Sequence, residues 1–160
     1  MNVFSGTKMD HVCELKLKWK QKKITKQMRA KGIGKIVCSA AEAAECLSWL
    51  KESHREIFVL LLLDSGNTLL SAVELFAGGN GCANIDIPEI LRRVLTANAV
   101  SFIIAHNHPS MNSSPSRNDT QITEEIAEAA KAVKLVFQDH IIIGESFYSF
   151  RNQNPELFNT

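Results

Sequence analysis

His106 and His108 stand one residue apart at the close of the apolar run from Val100 to Ala105, and Asp119 follows at the start of what reads as a helix. In an extended segment alternate side chains project to the same side, so the two imidazoles, with Cα atoms about 6.6 Å apart, reach one metal ion. Asp119, one turn into the helix, is the natural oxygen donor. Two imidazoles and a carboxylate form a zinc ligand set, and a catalytic zinc takes three protein ligands and leaves a position for water. The chemistry expected of such a group is hydrolysis by an activated water.

That water loses a proton as it attacks and the leaving group gains one, so a base must stand beside the metal. Glu56, at the mouth of one apolar run, and Glu74, in the run that follows it, both qualify, and spacing does not choose between them. Ser116 and Asp119 also have the spacing of a capping box, which accounts for both residues without a metal; the two roles are compatible, with the hydroxyl or the helix-start amides facing an oxyanion. His140 is a candidate for a group behind the ligands. His11 and His54 read as surface residues. A lone histidine is usually polar packing and a glutamate at a strand entrance a solvated acid. The pairing of His106 with His108, followed by Pro109 and Asp119, is what singles out this site.

The elements that must position these groups are legible in outline. Ser39-Ala40-Ala41-Glu42 is a capping box that opens a helix to about Glu52, with Ala43, Cys46, Leu47 and Leu50 inward. Ile57 to Leu63 is a continuous apolar run, the pattern of a strand buried on both faces. Asp64-Ser65-Gly66-Asn67 turns the chain into a second strand, Thr68 to Phe76. Asp86 caps a helix to about Asn98, Val100 to Ala105 is the strand that delivers the histidines, and Ser116 opens a helix to about Lys134 with Ile122, Ile126, Ala129, Ala130 and Val133 inward. Leu135 to Phe137, His140 to Ile143 and Ser146 to Phe150 read as further strands. This order is α/β, helices packed on a mixed sheet. Gly78-Gly79-Asn80-Gly81 lacks the Lys-Ser/Thr of a phosphate-binding loop and reads as a plain loop.

A chain of 160 residues, 45% hydrophobic and 22% charged, is sized for one compact core. No apolar run spans a bilayer and no secretory leader is evident, so a cytoplasmic setting without a membrane partner is expected. Cys13, Cys38, Cys46 and Cys82 form no C-x-x-C pair and read as reduced, mostly core residues. The net charge of +1 hides an asymmetry: ten Lys or Arg against two acids make residues 8–35 net +8, leaving eight bases against fifteen acids, −7, elsewhere. Within this basic arm, residues 1–38, Cys13, Leu15, Leu17 and Trp19 alternate with charged residues as in a half-buried edge strand. Lys16, Lys18 and Lys20 then share the outer face, where they are either solvated or in contact with nucleic acid or another acidic partner. Gln21 to Lys31 reads as irregular. Gly32-Ile33-Gly34 is similar to the hairpin of helix-hairpin-helix modules, but no second helix follows immediately.

His106-x-His108-Pro109, with Ser116 and Asp119 at their spacing, resembles the JAMM (JAB/MPN) metalloprotease motif. His106-Asn107-His108-Pro109-Ser110 with Pro115-Ser116-Arg117-x-Asp119 is similar to its bacterial RadC branch. Glu56-x-Phe58-Val59-x-Leu61-x-Leu63-Asp64 and Asp139-His140-Ile141-Ile142-Ile143-Gly144 extend the resemblance over about Ser39 to Phe150. It implies a cytidine-deaminase-like JAB/MPN fold, a curved mixed sheet flanked by helices, over residues 39–152, with 153–160 as a tail. It implies a Zn2+ cofactor on His106, His108 and Asp119, Glu56 rather than Glu74 as general acid/base, and Ser116 as oxyanion support. A protein or peptide substrate is then expected, since characterised JAMM proteases cleave peptide or isopeptide bonds of ubiquitin-like proteins, whereas the DNA-repair label of the RadC branch is not a mechanism. RadC proteins carry a helix-hairpin-helix domain that the short arm does not accommodate, so the chain resembles the shortened versions of bacterial mobile elements. Met111 stands where glycine is usual, and the loop Gly78 to Asn84 departs from Gly-Thr-Leu-Asn; both lie at the rim, where substrate is chosen. The rival expectation is a binding module that acts through the basic arm on nucleic acid or a replication or repair partner.

Overall fold

The computed structural model describes residue 23 and residues 25–78 and 85–158. The alternating stretch with Lys16, Lys18 and Lys20 lies outside the described residues, as do Cys13, Cys82 and most of the Gly78 to Asn84 loop.

Among the described residues five strands form one mixed sheet in the order β2-β1-β3-β4-β5, with β1 (Glu56–Leu63), β2 (Leu69–Gly78), β3 (Ser101–Asn107), β4 (Val136–Ile143) and β5 (Phe147–Ser149). Of these strands β3 and β4 pair in parallel, and the other pairs are antiparallel. A parallel pair needs a long crossover, and α4 (Arg117–Ala132) supplies it. The apolar run of β1 is continuous because both of its faces are covered. Phe58, Leu60 and Leu62 pack with Phe102 and Ile104 under α3 (Ile87–Thr96) and α4, where Ile90, Val94, Ile126 and Ala130 are buried. Ile57, Val59, Leu61 and Leu63 pack with Ile103 and Ala105 on the opposite side under α2 (Ala40–Cys46), with Ala43, Leu47 and Leu50. The result is a three-layer α/β architecture consistent with a JAB/MPN domain. Among the described residues no helix is long and apolar enough to cross a membrane.

Several elements depart from the sequence-based expectations. The helix expected from Ser39 to Glu52 changes at Leu47 into a 3-10 turn, Ser48–Glu52. Three residues per turn place Leu47 and Leu50 on one side, and both are fully buried. The two strands expected around Gln138 and Asp139 are one, because the polar pair finds partners: Gln138 Nε2 donates to Asn67 Oδ1 and Ser101 Oγ (both 2.7 Å), and Asp139 accepts from Ser149 Oγ and Arg151 N. Part of the segment read as irregular is a short helix, α1 (Lys26–Ala30), capped by Thr25, whose Oγ1 accepts from Met28 N.

The glycine triplet is not a hairpin between two helices. Gly32, at φ 79°, abuts Cys46, where a Cβ would collide with the thiol. Gly34 N donates to Leu69 O, so the triplet clips the N-terminal segment to the start of β2. Cys46 is buried as expected, whereas Cys38 is exposed. On α4 the inward line is Asp119, Thr123, Ile126 and Ala130, and Val133 is exposed. At the C-terminal end β5 passes into α5 (Phe150–Gln153) and a 3-10 turn, Pro155–Phe158, whose Phe158 is buried against Phe137.

Candidate metal centre

His106 is the penultimate residue of β3, and its ring is fully buried. Its cross-strand neighbour on β1 is Phe58, whose ring stacks on the imidazole with centroids 4.3 Å apart and planes at 17°. His108 lies just past the strand end; its amide donates to Ile143 O, which continues the β4 contact. The two residues project to one side, and their Nε2 atoms are 3.0 Å apart. Asp119 arrives from α4, with Oδ1 3.2 Å from His106 Nε2 and Oδ2 3.4 Å from His108 Nε2. Glu56, at the first position of β1, completes the group with Oε1 3.9 Å from His106 Nε2. One ligand atom each from Glu56, His106 and His108 lies within 4.8 Å of the others.

Both oxygens of Asp119 face the histidines, and Oδ2 also serves the helix start. Oδ2 accepts from Ser116 N and Ser116 Oγ (both 2.7 Å), while Ser116 Oγ accepts from Asp119 N at 3.1 Å. The capping box is therefore complete, and Oδ1 still faces His106. Burial pushes the Asp119 carboxyl upward, but the His106 and His108 rings outweigh it and hold the group far below the usual carboxylate range. The same contact acts on His108: the bond that its protonated ring makes to Asp119 raises its pKa against the opposing effect of burial.

The donor chemistry fits a divalent cation such as zinc. His108 Nδ1 donates to the Asn112 carbonyl at 2.7 Å, and because a carbonyl only accepts, the neutral ring keeps its lone pair on Nε2, facing His106 and Asp119. Imidazole nitrogens and carboxylate oxygens converging from one side form an open ligand set.

Of the other expected residues, Ser116 and His140 lie next to this group and Glu74 does not. Ser116 is beside it, with its hydroxyl proton directed to Asp119 Oδ2. His140, on β4, lies behind His106: its Nε2 is 3.0 Å from His106 Nδ1, its ring stacks on Phe150, and burial together with the neighbouring imidazole holds its pKa well below the usual histidine value. Glu74 is not brought to the site. It pairs in register with Val59, whose side chain belongs to the opposite face of the sheet, and its carboxylate meets Lys31 at 3.2 Å in an exposed ion pair.

Two residues that the sequence reading missed support the group. Asn107 Oδ1 accepts from Ile57 N at 2.9 Å, and its Nδ2 donates to Arg55 O at 3.0 Å and Ser53 O at 3.4 Å, tying the entrance of β1, and so Glu56, to the histidine strand. Thr123, one turn beyond Asp119, contacts His140. Neither residue breaks a periodic pattern, so the only available signal was the position of Asn107 between the histidines and of Thr123 on the inward face of α4.

The loop that carries Asn112 turns at Met111, which adopts φ 61°. That left-handed geometry is the one glycine occupies without strain, which gives a physical reason for glycine being usual there. Glu145 N donates to Met111 O, and Gly144 packs so closely on Met111 and Ser113 that a Cβ would meet their backbone atoms.

The RadC-like JAB domain family matches residues 37–155. Among curated relatives, a UPF0758 protein of Pasteurella multocida is 41% identical over 102 residues, covering 63% of this chain and 46% of that protein. One of Vibrio cholerae is 43% identical over 97 residues, covering 61% and 62%. One of Actinobacillus pleuropneumoniae is 34% identical over 119 residues, covering 74% and 51%. The match thus spans about half to three fifths of each relative's length. With the sheet, the capping box and the His106-x-His108 pair in place across the matched span, the chain belongs to the RadC-like JAB domain family.

Proposed function

We propose that this chain is a zinc-dependent hydrolase of JAMM type acting on a peptide or isopeptide bond, with His106 Nε2, His108 Nε2 and Asp119 Oδ1 as metal ligands and Glu56 as general acid/base. The observation that carries this reading is the convergence of those three atoms with Glu56 Oε1 in reach of His106 but on a separate strand. Zinc held there supplies Lewis acidity that polarises a water and the scissile carbonyl.

The chain's own residues do the rest. Glu56 Oε1 takes the proton of the attacking water and returns it to the departing nitrogen. Ser116 supports the negative charge on the carbonyl oxygen, for which its hydroxyl must turn its proton from Asp119 Oδ2 toward the substrate. Asp119, held ionised beside the two imidazoles, supplies the anionic oxygen of the ligand set.

The test is an unbiased peptide and isopeptide substrate panel run with zinc present. Glu56→Gln is expected to keep its zinc and lose hydrolysis by about 10²- to 10⁴-fold, the usual contribution of a positioned base. Glu74→Gln leaves both unchanged. Loss of zinc from Glu56→Gln would make Glu56 a ligand instead, and undiminished hydrolysis would remove it from the mechanism.

A further inference from the structure

Behind the ligand group runs a buried chain of hydrogen bonds. Thr123 Oγ1 donates to the backbone carbonyl of Asp119 at 2.5 Å, His140 Nδ1 lies 2.6 Å from Thr123 Oγ1, and His140 Nε2 lies 3.0 Å from His106 Nδ1. All three side chains are fully buried.

The direction of each bond follows from its first member. A carbonyl oxygen only accepts, so the single hydroxyl proton of Thr123 points to Asp119. Thr123 Oγ1 is then the acceptor for His140, whose proton must sit on Nδ1. The neutral His140 ring is left with its lone pair on Nε2, so His106 must donate from Nδ1. In the neutral ring His106 Nε2 consequently keeps the lone pair, and this is the nitrogen that faces Asp119 Oδ1 and His108. Ring flips that would scramble this order are opposed by stacking on both sides: His106 lies on Phe58 with planes at 17°, and His140 on Phe150 with planes at 12°.

We propose that Thr123 and His140 are positioning residues, a relay that begins at the backbone of one ligand, Asp119, and fixes a second ligand, His106, in the Nδ1–H tautomer with Nε2 free for the metal. This rests on the reading of the site as a metal centre, but the relay itself is a property of the metal-free protein. Groups that orient a ligating histidine through its second nitrogen typically change metal affinity about 10- to 100-fold when removed. Thr123→Val keeps the shape and removes the hydroxyl; Thr123→Ser keeps the hydroxyl.

Two measurements on the full chain test the relay. Ring-nitrogen NMR of the metal-free protein at mildly alkaline pH is expected to show His106 as Nδ1–H in the wild type and Thr123→Ser, and as a tautomer mixture in Thr123→Val. Zinc titration against a chromogenic chelator is expected to weaken about 10- to 100-fold in Thr123→Val and to stay near wild type in Thr123→Ser. His106 found as Nε2–H in the wild type would overturn the proposal without any variant. So would a Thr123→Val protein less stable to heat but unchanged in tautomer and zinc affinity, which is the mark of a merely structural threonine. Wild-type protein that shows the Nδ1–H tautomer but binds no zinc would instead remove the metal reading and leave the relay standing.

Discussion

Asn107 shows how much of this site depends on a residue that is no ligand. It sits between the two histidines, 2% exposed, and its amide replaces the strand ladder where β1 and β3 part. Replacing it by Leu leaves the Ile57 N–H buried without its partner, at a cost of about 1–3 kcal/mol for the unsatisfied group, while the Arg55 carbonyl keeps its bond from the Ser53 hydroxyl. Asn107→Leu is therefore expected to lower the denaturant midpoint by a clear margin and, because Glu56 is the next residue back from Ile57, to impair hydrolysis more than zinc binding. Unchanged stability would mean that the amide bonds contribute nothing. Asp119 reads from sequence as both helix cap and candidate ligand, and the two are geometrically compatible: Oδ2 completes the cap while Oδ1 faces His106.

At the scale of elements, helix α2 is set by its own start. Glu42 accepts from Cys38 N at 2.7 Å while Ser39 Oγ accepts from Glu42 N, and the Cys38 amide followed by the Ser39 bonds holds the Glu42 carboxyl below its ordinary value of 4.5. A depressed carboxylate pKa stabilises the folded state above the unfolded value and loses that contribution as pH falls through the folded one. Thermal melts of wild type and Glu42→Gln should thus differ at neutral pH and converge in acid below the ordinary carboxylate value. A difference that persists in acid would contradict the linkage.

Long patterns were legible and short substitutions within them were not. The β1 run announced its two covered faces, and Ser39 and Ser116 announced their helices. Gln138 and Asp139 broke the β4 run in sequence but not in space, because Asn67 and Ser101, the partners of Gln138, lie far away along the chain and Ser149, the partner of Asp139, lies across the turn into β5. Glu74 and Glu56 were equivalent by spacing, and only the register, with its irregularity between Phe58 and Val59, separates their faces.

Across the whole molecule the sheet gathers what the chain disperses: β1 brings Glu56, β3 the histidines, α4 the aspartate and β4 the relay. Gly144 ties the far end of β4 to the loop after His108. Its constraint is space, since a Cβ there would run into the Met111 carbonyl and approach Ser113 N at 2.8 Å. Gly144→Ala must displace the loop that presents the Asn112 carbonyl to His108, and zinc affinity is expected to fall roughly tenfold, as for loss of a group orienting a ligand. Affinity equal to wild type would show that the loop is free to move without disturbing His108.

The most direct test is the zinc content of the full chain after dialysis against zinc, measured for wild type and His106→Ala. The account predicts stoichiometric zinc in the wild type and its loss from His106→Ala. A wild type without zinc, or a His106→Ala protein that retains it, would contradict the metal centre on which the proposed chemistry stands.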